Sequence, residues 1–179
     1  MAVTIDGTTG VSLVQDGVIT DANLPEGSVL QVVTNHFTNN SGSASASFAD
    51  VAGSSTTITP ISTSSTILVM CSIAYIQSRS TDTAYAGIQL VRGSTILYTP
   101  ASNSVGPFGP ALVVGGASSI ANRSRWHMLY EDNPSTTNAT TYKVQFRVYN
   151  TDSNQNLIIN ETGGNSGEAS TVVLMEIAG

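Results

Sequence analysis

A period-two alternation of apolar and polar residues runs through much of the chain and predicts β-strands. Near the C-terminus, Tyr142, Val144, Phe146 and Val148 alternate with charged or amide side chains. This pattern indicates a strand with one buried and one solvated face. Strands are predicted at residues 29–37, 66–77, 85–92, 95–99, 111–114, 125–130, 142–149 and 171–177, with a weaker one at 157–159.

Turn-forming clusters rich in Gly, Pro, Asn and Asp separate the predicted strands, as at residues 39–42 and 106–110. The strongest helical candidate, residues 120–128, lacks a continuous apolar stripe because polar residues interrupt it at 122–125. Many short strands with frequent turns predict an all-β domain, either a sandwich or a barrel. The length of 179 residues suits one domain with a substantial core.

Two of the predicted strands, residues 66–76 and 171–177, are apolar on both faces, whereas a sandwich strand buries only one. The apolar residues of the second face are Leu68, Met70, Ala74, Ile76, Val173, Met175 and Ile177. Without predicted helices, a neighbouring subunit is the simplest cover for this face, and a long loop of the same chain is the alternative. We favour the subunit and expect both strands near the axis of a homo-oligomer.

Residues 1–27 differ from the rest of the chain. They contain two Asp-Gly pairs typical of tight turns, and they are too short to form a core of their own. We predict that residues 1–27 are an N-terminal attachment arm or stem and that residues 28–179 are the β-sandwich head domain. A frayed terminus is the alternative. The apolar residues of the segment favour an arm.

Charged residues make up only 10% of the chain, and the formal net charge is −6. Lys143 and five scattered arginines supply all basic side chains, so we expect no face that binds phosphate and no nucleic-acid partner. An anionic membrane surface is disfavoured for the same reason, and no apolar run is long enough to insert into a membrane. The N-terminus lacks the features of a signal peptide. A secreted-type surface without an export signal favours a virion protein, made in the host cytoplasm and released by lysis.

Several runs resemble, in their order along the chain, the last module of tail-fibre and virion proteins of tailed bacteriophages, notably marine and cyanobacterial phages. The runs are residues 5–20 before the module, its opening strand at 29–33, its next sections at 48–51 and 57–60, its most recognisable run Ser64-Ser65-Thr66-Ile67-Leu68-Val69, and residues 90–95 and 174–179. The resemblance covers essentially the whole chain. It implies a jelly-roll-like antiparallel β-sandwich, a homotrimer, and attachment of the N-terminal segment to a larger particle. In long fibres this module ends a much larger polypeptide, so we expect a short fibre, a fibre tip or a decoration protein here.

No catalytic, cofactor-binding or metal-binding residue is predicted. His36 and His127 are expected at the surface or in a subunit contact, and Cys71 lies in an apolar run that predicts a buried core residue. These residues form no zinc ligand set, and residues 152–163 match a calcium loop only at its opening. A glycosidase with two carboxylates remains the enzymatic alternative.

The sequence therefore predicts a non-enzymatic structural protein on the surface of a phage virion. The favoured function is a short tail fibre or fibre-tip adhesin that contacts the host cell surface, with a host surface glycan as a candidate ligand. Loops at residues 78–83, 100–110 and 132–138 are the expected contact surface at one end of the sandwich. The alternative is a capsid decoration protein, a cement protein or head fibre, that binds and stabilises the phage head. Both functions require other virion proteins as partners of the arm.

Overall fold

The computed structural model describes residues 24–43, 45–79, 84–100, 111–112, 120–148, 156–161 and 168–179. These residues form strands and turns and contain no helix that could cross a membrane. The strands are β1 (Val29–Phe37), β2 (Ser41–Ser43), β3 (Ala49–Asp50), β4 (Thr56–Ile58), β5 (Thr66–Arg79), β6 (Ala84–Arg92), β7 (Thr95–Tyr98), β8 (Ala111–Leu112), β9 (Ile120–Asp132), β10 (Thr140–Val148), β11 (Asn156–Ile159) and β12 (Ser170–Ile177).

Antiparallel pairing assembles these strands into two six-stranded sheets. Sheet I has the order β1-β12-β5-β11-β2, with β9 paired to β5. Sheet II has the order β3-β10-β6-β7, with β4 beside β10 and β8 beside β6. The predicted all-β, jelly-roll-like antiparallel sandwich is therefore confirmed.

Strand β5 is the centre of sheet I because both of its edges are paired. Strand β9 pairs with it from Ile67 to Arg79 along one edge, and β12 and then β11 pair with successive parts of the other edge. Its apolar and β-branched residues favour this extended and buried position. Strand β10 has the same place in sheet II, with β6 on one edge and β4 and β3 on the other.

The core lies between the two sheets and takes alternate residues from each central strand. Sheet I contributes the inward side chains of β5, which are Ile67, Val69, Cys71, Ile73 and Tyr75. Sheet II contributes the inward side chains of β10 and β6, which are Tyr142, Val144, Phe146, Val148, Ile88 and Leu90. Burying each large apolar side chain stabilises the fold by about 1.5–3 kcal/mol. The one-faced alternation predicted for β10 is therefore what holds the two sheets together.

Each predicted strand lies on an observed strand wherever the structure describes it. The prediction for residues 29–37 matches β1 at both ends. Strand β9 extends well beyond the predicted residues 125–130, because pairing with β5 keeps the polar run 122–125 extended. The turn predicted at residues 39–42 is wrong at its second half, since Ser41 and Gly42 begin β2 and pair with β11. The pattern does not predict β3 and β4, because two or three residues are too few to show an alternation.

Most of the predicted arm, residues 1–23, lies outside the described residues. The chain enters the sandwich beside its last strand: Gly27 N donates to Ala178 O at 2.7 Å, and Ala178 N donates to Ser28 O at 2.8 Å. These bonds fix the start of β1 against the end of β12. The boundary between arm and head at residue 27 stays a prediction.

A buried charged cluster ties the end of β9 to sheet II. The Asp132 carboxylate, 7% exposed, accepts hydrogen bonds from Arg92 Nη1 at 2.8 Å and from the Tyr142 hydroxyl at 2.6 Å. Burial, followed by the neighbouring Asp132 carboxylate, raises the pKa of Tyr142, so this hydroxyl remains a donor. A buried carboxylate is stable only with such partners. The three side chains therefore fix β9 against β6 and β10.

Glu176 holds the segment that follows β4 against sheet I. Its side chain is fully buried, and its carboxylate accepts hydrogen bonds from Gln31 Nε2 at 2.5 Å and from the backbone N–H of Ile61 at 2.7 Å. Burial alone raises the pKa of Glu176, but the hydrogen bonds outweigh it and hold this pKa below its usual range. The ionised carboxylate is therefore part of the folded structure.

We predict that Glu176 makes the fold sensitive to acid. A carboxyl group with a lowered pKa stabilises the folded protein fully above its ordinary pKa of 4.5, and this contribution is lost as the pH falls through the lower pKa of the folded state. Glu176→Gln should cost about 1–3 kcal/mol at pH 7, because the buried donors lose a charged acceptor. It should also flatten the fall in stability below pH 4.5.

Urea unfolding across a pH series measures both effects. Glu131→Gln is the matched control, since Glu131 is exposed on β9 and its side chain makes no hydrogen bond with the described residues. An acid profile of Glu176→Gln identical to that of the original chain would contradict the assignment.

Candidate interaction face

One surface of sheet I is apolar although it points away from the core. Side chains alternate along each strand, so the neighbours of the inward residues point outward. Strand pairing aligns them in two rows across the sheet, Val32, Met175 and Leu68 in one and Val173, Met70 and Leu129 in the next. These six residues are called the outer face. Each of them is exposed or only half-buried.

The outer face confirms the prediction that β5 and β12 carry a second apolar surface. The sequence pattern missed its two most exposed residues, Leu129 at 67% and Val32 at 52% exposure. Runs of consecutive apolar residues on β1 and β9 are the signal that could have found them, because a strand with adjacent apolar residues presents them on both faces. An exposed patch of this kind typically marks a contact with another molecule.

The outward surface of β5 is buried toward the C-terminal end of the strand. Ala74 and Ile76, which were expected to need a subunit as cover, are buried at 1% and 5% exposure. The register sets Arg125 beside Ala74 and Arg123 beside Ile76, and Arg125 Nη1 donates to the Ser72 hydroxyl at 3.2 Å. Arginine stems cover apolar surface well. The chain thus supplies its own cover at this end, and the uncovered part is confined to the outer face.

Strand β9 is an edge strand within the part of the chain that the structure describes. Strand β5 pairs with one side of it, and no described strand pairs with the other. Backbone donors and acceptors along such an edge are open to pairing with another chain. Leu129 stands at this edge and also belongs to the outer face, so the two surfaces are continuous.

A shallow depression of about 370 Å³ lies where the outer face meets the β9 edge. Its lining is mainly apolar, with hydroxyl and imidazole groups among it: Met70, Cys71, Ser72, His127, Met128, Leu129, Thr171 and Val173. Apolar centres with polar surroundings are the usual anatomy of a protein contact. The depression therefore suits an apolar side chain of a protein partner.

The two histidines lie on the outward surface of sheet I at one level. His36 on β1 and His127 on β9 are exposed, with Thr171 and Ser72 between them in a single row. His36 Nδ1 lies 2.9 Å from Thr171 Oγ1. The expected arrangement of β9 is confirmed, because Trp126 is buried while its neighbour His127 points outward. Neither histidine is hydrogen-bonded to a described carboxylate. A carboxylate is the usual group that orients a histidine when it acts as the base for a catalytic nucleophile.

Cys71 is buried in the core, as the sequence predicts. Burial raises the pKa of its thiol to about 12, so it remains protonated and unreactive at neutral pH. Within the described ranges, no three His, Cys, Asp or Glu side chains are grouped so that they could hold a metal ion.

Two of the segments expected to form a common contact surface begin at opposite ends of β5. Strand β5 begins beside Asp132 and ends beside Ile120, and Ser78 lies at its far end. A strand of 14 residues spans roughly 45 Å. Residues 132–138 therefore begin far from Ser78, and the prediction of a common end is wrong for these two positions. Residues 80–83 and 101–110 lie outside the described residues.

The fold and its surface define an all-β antiparallel sandwich with an apolar outer face on one sheet. No family model and no curated protein matches the chain. Among solved structures it is similar to T=1 particles derived from infectious bursal virus, with a TM-score of 0.39 and 12% identity over 84% of this chain and 37% of that chain. The Gx strain of infectious bursal disease virus gives a TM-score of 0.35 and 13% identity over 83% and 38%. The VP2 subviral particle of the same virus gives 0.31 and 16% over 83% and 37%.

This chain thus spans less than half the length of the viral chains it is similar to.

We predict that the Cys71 thiol resists alkylation in the folded protein. Burial keeps the reagent away from the sulfur atom, and it also raises the pKa of the thiol, so that little of the reactive thiolate forms. Iodoacetamide at mildly alkaline pH should therefore modify it only after unfolding in guanidinium, as measured by intact-mass spectrometry. Thr95→Cys, at an exposed position on β7 of sheet II, should be modified in the folded state. Rapid alkylation of Cys71 in the native protein would contradict the packing of β5.

Proposed function

We propose that this chain is a non-enzymatic structural protein of a tailed-bacteriophage virion. It is exposed at the virion surface and acts as a short tail fibre or fibre tip that contacts the host cell. The outer face is the observation that carries the proposal. A sandwich with apolar surface on both sides of one sheet is incomplete as a single subunit and fits a component of a larger assembly.

The surface chemistry supports a role outside the cell. Only 10% of the residues are charged, and Ser, Thr and Asn replace them as the polar residues of the chain. Exposed positions of β1 and β4 follow this trend, with Thr34 on β1 and Thr57 on β4. Hydroxyl-rich strands are well hydrated without a strong electrostatic field, which suits a protein that contacts cell surfaces of varied charge.

The resemblance to the last module of tail-fibre proteins supports the choice of a tailed phage. It also supports attachment of residues 1–27 to a larger particle, which makes other virion proteins the partners of this segment. The homotrimer that the resemblance implies stays a prediction, as does recognition of a host glycan. A homo-oligomer agrees with the outer face, because copies of one chain can cover it for one another.

Three of the described carboxylates are engaged in hydrogen bonds within the sandwich, which favours a structural role for them over polysaccharide cleavage. Asp50 accepts hydrogen bonds from Lys143 Nζ at 2.9 Å and from Gln145 Nε2 at 2.6 Å. The bond from Lys143 and then that from Gln145 hold the pKa of Asp50 below its usual range. Asp132 and Glu176 are likewise bound to donors within the sandwich. A glycosidase needs two carboxyl groups free to face a substrate.

We predict that an antibody against this chain labels the tail of intact virions. Immunogold electron microscopy makes the measurement, and antibody saturated beforehand with the purified protein is the control. Label confined to the tail would support the adhesin. Label over the head would contradict the tail-fibre function and support a capsid decoration protein. Absence of label would contradict a place on the virion surface.

A further inference from the structure

A small polar pocket lies between the turn after β6 and the segment that leads from β9 into β10. Its volume is about 250 Å³, and its lining comes from Arg92 and Gly93, from the segment 134–139, and from Thr140 and Thr141 at the start of β10. This cavity is called the loop pocket. We propose that the loop pocket binds one uncharged sugar unit of a glycan. The proposal rests on the proposed function for the source of the glycan, which is the host cell surface.

Hydrogen bonds fix the segment that forms one wall of the loop pocket. Asn138 N donates to Thr136 Oγ1 at 3.1 Å, and Thr140 Oγ1 donates to the Asn138 carbonyl oxygen at 2.9 Å. At the beginning of the segment, Thr66 Oγ1 donates to Asn133 Oδ1 at 2.8 Å. A site whose polar groups are already held in place loses little conformational entropy when a ligand binds.

Two threonine hydroxyls in the lining have complementary hydrogen-bonding capacity left for a ligand. Thr136 Oγ1 accepts the bond from Asn138 N, so its own proton remains to be donated. Thr140 Oγ1 donates its proton to Asn138, so its lone pairs remain to accept a bond. Thr140 is only 9% exposed, and a buried acceptor forms a stronger hydrogen bond than one in water. A sugar hydroxyl both donates and accepts, so it can use both groups.

Arg92 adds hydrogen-bond donors to the loop pocket without adding net charge. Both hydrogen bonds from Arg92 to the Asp132 carboxylate use Nη1, at 2.9 and 2.8 Å, so the other two guanidinium nitrogens lie outside this pair. The Arg92 side chain is 25% exposed. Its charge is balanced by Asp132, and no other described residue of the lining is charged. The loop pocket therefore has no excess positive charge to attract an anion, and it favours an uncharged ligand.

The size of the loop pocket and the apolar part of its lining fit a single sugar ring. Pockets for drug-sized ligands have volumes of about 300–1,000 Å³. The loop pocket, at about 250 Å³, lies just below this range. Pro134 and Ala139 supply apolar surface for the C–H groups of the ring, and the other described lining residues are polar or glycine. A few polar groups placed around apolar contacts are the usual anatomy of a small-ligand site.

The backbone beside the loop pocket has a conformation that is concentrated at functional sites. Ser135 has a φ of 51°, in the left-handed region that residues with a Cβ atom disfavour. Such strain persists only where the surrounding structure imposes it, and it is frequent at ligand sites. Ser135 stands between two residues of the lining, Pro134 and Thr136. All three belong to the loop 132–138, which the sequence predicts as a contact surface.

The first test measures the binding of neutral monosaccharides to the full chain. Glucose, galactose, mannose, rhamnose and N-acetylglucosamine are titrated by ligand-observed saturation-transfer NMR, with sodium sulfate as the charged competitor. At least one sugar should bind with a dissociation constant in the millimolar range, because a single ring makes few contacts. Sulfate should not displace it. Absence of binding by every sugar, or displacement by sulfate at constant ionic strength, would overturn the proposal.

The second test compares Thr136→Val with Thr137→Val. Both threonines belong to the same segment, but Thr137 is exposed and is not part of the lining. Thr136→Val removes the donor and keeps the shape of the side chain, so it should weaken sugar binding by about two- to tenfold, the usual loss for one hydrogen bond. Thr137→Val should bind as the original chain does. Equal binding by both variants would overturn the assignment of the site.

A third variant tests the site without removing a hydrogen bond. Ala139 is exposed and its methyl group lines the loop pocket, so Ala139→Leu should fill the space of the ligand and abolish sugar binding. Thr137→Leu is the control for a larger side chain outside the lining. Urea unfolding should give both variants the stability of the original chain. Full sugar binding by Ala139→Leu would contradict the proposed position of the ligand.

These outcomes are separate from those of virion labelling. A chain that labels the tail but binds no sugar would overturn the loop pocket as a sugar site and leave the virion function intact. A chain that binds sugar through Thr136 but gives no label on virions would do the reverse.

Discussion

Strand β5 imposes the constraint on which the rest of the structure depends. It is paired along both edges, and its inward side chains, from Ile67 to Tyr75, form the floor of the core. A two-layer sandwich has only one interior, so the opposite face of this strand must find other cover. Arginine side chains from β9 lie beside one half of it, and the other half remains the apolar centre of the outer face.

Much of the sandwich could be predicted because its long strands carry a strong alternation. Strand β10 of sheet II is apolar at every second position, and the structure buries those positions against sheet I. Strand β2 was beyond such reasoning, because its Ser and Gly residues favour a turn and only the pairing with β11 makes them a strand. The same holds for the start of β9, where β5 keeps a polar segment extended. Long-range pairing overrides local preference in both cases.

The existence of the interaction face could be predicted from the sequence, but its boundary could not. Two strands with adjacent apolar residues indicated a second apolar surface, and Leu68 and Met70 lie on it. The burial of Ala74 and Ile76 could not be read from the chain, since it follows from which residues of β9 stand beside them. Leu129 joins the face for the same reason. Strand register across the sheet, and not the pattern within one strand, decides the outline of such a surface.

The order of strands in sheet I has a consequence for biosynthesis. Val29 of β1 pairs with Ile177 of β12, about 150 residues later in sequence, and contacts of such separation make folding slow. Strand β12 also lies between β1 and β5. Sheet I therefore cannot close until β12 has left the ribosome. Until then β1 remains without its pairing partner, and an unpaired strand of a nascent chain needs protection from aggregation.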